Sequence, residues 1–174
     1  MFNIKRRLDM SIWILVADSY QAHLYSVPSV IALSNYGEAN SLDGEHNHPE
    51  LEPFESFIHV ESKEMDSEIA SDKFGNNRHS GDNSSSGGSF IDENSPKDHE
   101  KQVFSKQVAE FLNNKKIDDK YNDLIIAAPS KFLGVLKDNL SADVLRCIIK
   151  DIDKDYTNDI NQPRVLANNL GQYF

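Results

Sequence analysis

The sequence predicts an α/β protein built on a five-stranded mixed sheet with helices on both faces. Two neighbouring features carry that expectation. Leu124 to Ala128 is a continuous apolar run with no polar face, which suits a strand covered on both sides, as in a parallel sheet. Pro129 cannot donate to a ladder and ends that strand. Phe132, Leu133, Val135, Leu136 and Leu140 then recur at helical spacing, with Ser130 placed to cap the helix and Lys137 near its negative end. A buried strand that turns directly into an amphipathic helix is half of a βαβ unit.

The other elements fall around this unit. Residues 1–10 read as an N-terminal extension, with Met10 immediately before the first strand. Ile12 to Ala17 is apolar and β-rich. Asp18, Ser19, Tyr20 and Gln21 supply turn chemistry, and Ala22 to Val27 returns as a second strand, so the short connection implies an antiparallel hairpin. Pro28 ends that strand, and Val30 to Leu33 reads as its resumption after a kink. Asn35 to Pro49 is polar and reads as a loop. Between Leu51 and Val60 the second half reads as a third strand, with a short helical turn as its rival.

Residues 61–94 read as a long polar, flexible loop within a single domain spanning 11–174; Ser84-Ser85-Ser86-Gly87-Gly88-Ser89 cannot support a packed core. Ser95-Pro96-Lys97-Asp98 is a helix start, followed by the stripe Val103, Phe104, Val108, Phe111 and Leu112 and the terminal cations Lys115 and Lys116. Ser141 to Leu145 allows one helical turn. Arg146 to Ile152 reads as a fifth strand, Asp153 to Asn161 as a polar connection, and Gln162 to Leu170 as a helix beginning near Pro163. The order β-β-β, loop, α-β-α-β-α resembles the three-layer ribonuclease H-like layout, which places the first strand centrally and orders the sheet 3-2-1-4-5.

Bulk properties exclude several classes. A chain of 174 residues with one cysteine has no internal disulfide, and Cys147, placed mid-strand, reads as a buried thiol and a poor nucleophile. Lys5, Arg6 and Arg7 precede an apolar run too short for a signal peptide, and no stretch reaches the ~20 apolar residues of a membrane span. A cytoplasmic location without membrane insertion is expected. The net charge of −10 is concentrated: residues 38–100 hold 16 acids and 4 bases, and the rest of the chain is close to neutral. An acidic surface argues against non-specific binding to nucleic acid.

Four stretches bear a family likeness. Trp13 to Ser19 with Ala22 to Tyr25, Pro96 to Glu100, Ala127-Ala128-Pro129-Ser130-Lys131-Phe132-Leu133-Gly134, and Ile152 to Thr157 together resemble the bacterial host attachment protein family. That family is related to the middle domain of archaeal and eukaryotic peptide chain release factors. The resemblance implies a release-factor-like protein with the ribosome or tRNA as its partner, and a loop between the third strand and the next helix that would carry Gly-Gly-Gln to a peptidyl-tRNA ester. Here Gly87 and Gly88 are followed by Ser89 where the motif has Gln, so the sequence leans away from catalysis. The alternative is a non-catalytic module that binds a protein partner in host attachment or stress response.

The remaining site candidates are few. Asp18 ends the first strand, where ribonuclease H-like enzymes place a metal carboxylate. The fourth strand ends in Ala127-Ala128-Pro129 and offers no second acid, so Asp18 reads as a turn former, and neither metal nor cofactor is expected. Lys131 opens a helix at the carboxyl end of a central strand, a position suited to phosphate or carboxylate. Arg78 and His79 form a cationic pair in the acidic loop, suited to a partner or RNA contact. His46 and His48, near Glu45 and Glu50, read as solvated side chains, and His99 as a surface residue.

Overall fold

The computed structural model describes residues 11–37, 51–59 and 96–174. The N-terminal extension, most of the polar stretch after Gly37 and the loop expected at 61–94 lie outside the described residues.

The described chain forms β1 (Ile12–Ala17), β2 (Gln21–Val27), α1 (Val30–Gly37), β3 (Glu55–Ile58), α2 (Pro96–Ile117), β4 (Asp123–Ala127), α3 (Ser130–Asn139), α4 (Ala142–Cys147), β5 (Ile148–Ile152), a 3-10 turn (Thr157–Asp159) and α5 (Pro163–Gly171). The strands make one five-stranded sheet in the order β3-β2-β1-β4-β5. β1 pairs antiparallel with β2 and parallel with β4, β2 pairs antiparallel with β3, and β4 pairs parallel with β5. The expected order 3-2-1-4-5 is the observed one.

Every residue of β1 is buried, which follows from its central place. Alternation sends Trp13, Leu15 and Ala17 to one face, where Phe104, Val108 and Leu112 of α2, Phe132 and Leu136 of α3 and Val144 of α4 cover them. Ile12, Ile14 and Val16 face the other way, against Leu33 of α1 and Leu166, Ala167 and Leu170 of α5. Helices therefore cover both faces. Trp13 anchors the first core between rings, with the Tyr121 and Phe54 centroids each 4.7 Å from its own. Tyr121 donates to the Leu112 carbonyl at 3.1 Å, and burial pushes its phenol well above its usual range.

Several expectations need correction. Val30 to Leu33 does not resume β2; it opens α1, which takes in Asn35. Apolar runs of this length do not distinguish strand from helix, and here Leu33 turns inward while Ile31 stays 70% exposed. The N-cap of α3 is Pro129, with no side-chain cap, so Ser130 is a helical residue and does not cap. Ser141 does cap, accepting from the Val144 amide at 3.3 Å. Arg146 and Cys147 end α4, and β5 starts at Ile148. Cys147 is partly exposed at a helix end, not mid-strand, and its thiol donates to the Asp143 carbonyl at 3.1 Å. Val103, placed in the apolar stripe of α2, is 41% exposed. The rival helical turn near Leu51 to Val60 gives way to β3.

Candidate functional site

β1 and β4 lie side by side and parallel, and their connections leave in opposite directions, β1 into β2 and β4 through α3 into β5. Open α/β sheets form crevices at such switch points. Asp18 stands at this edge, 5% exposed. Its Oδ1 accepts from the amides of Tyr20 at 2.8 Å and Gln21 at 2.9 Å, which shapes the hairpin turn. Its Oδ2 accepts from Gln21 Nε2 at 3.2 Å and from Thr157 Oγ1 at 2.9 Å. The expected turn-forming role is the observed geometry, and the Thr157 bond adds a tie to the distant segment after β5.

Thr157 is 3% exposed, and its Oγ1 also lies 2.6 Å from Asp155 Oδ1. A hydroxyl has one proton, so it serves the two carboxylates in turn. Asp155 is also held by the Thr157 amide at 2.9 Å. No group of three or more His, Cys, Asp or Glu side chains able to hold a metal ion occurs among the described residues.

From Asp18 the polar contacts continue across the hairpin. Gln21 and His23 lie two apart on β2, so both side chains point to one face. His23 Nε2 is 3.4 Å from Gln21 Oε1, and its Nδ1 is 2.9 Å from Ser56 Oγ on β3, the residue paired with His23 in the ladder. His23 is 6% exposed, whereas Ser56 faces solvent. Burial lowers the pKa of His23 below 6.5, with the Asp18 carboxylate working in the opposite direction.

Lys131 is exposed in the first turn of α3. The Ser130 amide beside it donates to the Asp153 carboxylate at 2.7 Å, so an internal anion already sits at this helix start. Lys131 and Asp18 are therefore neighbours of one strand-end region without sharing a partner. Gly87, Gly88, Ser89, Arg78, His79, His46 and His48 lie outside the described residues. His99 is exposed, as expected of a surface residue. His59, half-buried after β3, places Nε2 2.7 Å from Glu100 Oε2 and stacks on Phe104 with centroids 5.7 Å apart. This contact ties the end of β3 to the first turns of α2.

An open groove of about 420 Å³ lies at the opposite end of the sheet, between α2 and α4. Its lining includes Lys116, Asp143, Arg146 and Cys147. Arg146 is paired with Asp143, and Lys116 donates to the Tyr121 carbonyl at 3.1 Å, so both cations are engaged within the chain.

A family model described as "Protein required for attachment to host cells" matches residues 13–166. The chain belongs to this family. The match runs from β1 into α5 and so covers Asp18, His23, Ser56, Asp155 and Thr157. A comparison with curated proteins returned no match.

Sequence reasoning singled out Asp18 but missed Gln21, His23, Ser56, Asp155 and Thr157 as its companions. The two-residue spacing of Gln21 and His23 next to a turn Asp was an available signal. Ser56 and Thr157 had none, because strand pairing brings in the first and the segment after β5 brings in the second.

Proposed function

We propose that this protein acts in attachment to host cells as a binding factor whose partner is a protein. Family membership over residues 13–166 carries this reading. The strand-end chemistry is consistent with it: the Asp18 carboxylate, at the end of β1, is engaged by four donors that hold a turn and a tether. An anion so fully engaged shapes structure better than it moves protons. Arg78, His79 and Lys131 are the contact residues we assign to the partner, no cofactor takes part, and the protein works in the cytoplasm.

A second reading, association with the ribosome or tRNA in the manner of release factors, is favoured by one observation. The 37 residues 59–95 connect β3 to α2, the place where release factors carry their catalytic loop, and they include Gly87-Gly88-Ser89. Ser89 in place of Gln makes this a binding rather than a peptide-releasing role.

The two readings separate in one set of strains. Cells lacking the chain should adhere poorly to host cells, and the full chain should restore adherence while a chain lacking residues 75–92 should not. Adherence unchanged by loss of the chain would end the attachment reading. Sedimentation of the chain with ribosomes at low salt would support the second reading, and its absence from the ribosome pellet would end it.

A further inference from the structure

The chain of contacts from Ser56 to Asp18 has a direction. With its ring proton on Nε2, His23 accepts from the Ser56 hydroxyl through Nδ1, at 2.9 Å, and donates to Gln21 Oε1, at 3.4 Å. The Gln21 amide then donates to Asp18 Oδ2 at 3.2 Å. Every donor points the same way, from an exposed hydroxyl on an edge strand towards a buried carboxylate. The imidazole is enclosed and oriented by a third group, and the hydroxyl it faces is open to solvent. Nucleophile, base and orienting group within hydrogen-bond reach are the elements from which activated serines are built.

We propose that Ser56 is an activated nucleophile for carboxylic esters, with His23 as its base and Gln21 as the residue that positions the ring. Ser56 Oγ forms a bond to the carbonyl carbon while its proton passes to His23 Nδ1. The ester C–O bond then breaks, and the alkoxide leaves with that proton. Water repeats the sequence on the acyl-serine and releases the acid. Burial keeps His23 in the neutral form that can accept a proton near pH 7. Neither the family match nor the attachment reading includes this activity, and each can fail without the other.

The test is covalent labelling of the full chain with an alkyl fluorophosphonate, which loses fluoride as serine oxygen bonds to phosphorus. Peptide mapping should find the label on Ser56 well ahead of Ser26, an exposed serine of β2 that serves as internal control. His23→Gln should slow labelling of Ser56 by about 10²–10⁴-fold, the usual worth of a general base. Gln21→Met should slow it less, with far-UV circular dichroism and thermal midpoint confirming that each variant folds. Equal labelling of Ser56 and Ser26, no labelling of Ser56, or an undiminished rate in folded His23→Gln would each overturn the proposal. If His23→Gln does not fold, the comparison of Ser56 with Ser26 in the unaltered chain decides alone.

Discussion

Asp18 combines a turn, a hairpin and a tether in one side chain. Removing its carboxylate strips acceptors from two backbone amides, the Gln21 amide and the Thr157 hydroxyl, in a setting only 5% exposed. Buried donors left unpaired are costly, so Asp18→Ala should lower unfolding stability by about 3 kcal/mol, read from urea denaturation. Thr157→Val on the Asp18→Ala background should cost less than on the wild type, because the two residues share a bond. Equal costs on both backgrounds would show that the bond carries no stability. His23 gives a prediction about pH. Its folded pKa lies below the unfolded value of 6.5, so the unfolded chain binds the extra proton first. Its contribution is therefore complete above pH 6.5 and is lost as pH falls from there towards the lowered folded value. Stability measured between pH 7.5 and 5 should fall less steeply in His23→Gln than in the wild type, and identical slopes would refute the assignment.

Among the elements, α4 shows how a short helix is held. It has only six residues, too few to persist on propensity alone. Ser141 caps it, Asp143 stands in its first turn and Arg146 in its last, and Val144 inserts into the core. Ser141→Ala should therefore cost about 1 kcal/mol by chemical denaturation, the ordinary worth of a cap. A loss within error would place the stability of α4 in Val144 alone. The sheet edges carry their own safeguards. β3 is four residues long, and β5 carries Lys150 and Asp151, the first over the Tyr173 ring and the second paired with Lys137. A register shift between Leu124 and Ile125 further disturbs the β4–β5 ladder. Short, charged and irregular edges discourage pairing with other chains.

At the scale of the molecule, the two cores are back to back across one sheet, and β1 belongs to both. Loss of β1 from the sheet would disrupt both cores at once, so the described residues should unfold together. Trp13 is the only tryptophan in the chain and reports on one core. Its fluorescence and the far-UV circular dichroism should follow a single urea transition with one midpoint. Separated midpoints would mean that α1 and α5 leave the sheet before the opposite face yields.

The sheet was readable from Ile12–Ala17 and Leu124–Ala128 because central strands are apolar on both faces, a property written in consecutive residues. The hairpin was readable from Asp18, and α3 from the spacing of Phe132 and Leu136. Val30 to Leu33 and Arg146-Cys147 misled, since short apolar segments suit either helix or strand until a neighbouring surface selects one. The relay of Ser56, His23, Gln21, Asp18 and Thr157 could not be read in advance as a unit, although Asp18 and the two-residue spacing of Gln21 and His23 were visible. Its members are separated by as many as 139 positions along the chain, and hydrogen bonds between side chains depend on spatial register, which local composition does not encode. Hydrophobic pattern fixed the layers, and long-range pairing assembled the polar residues that meet at their edge.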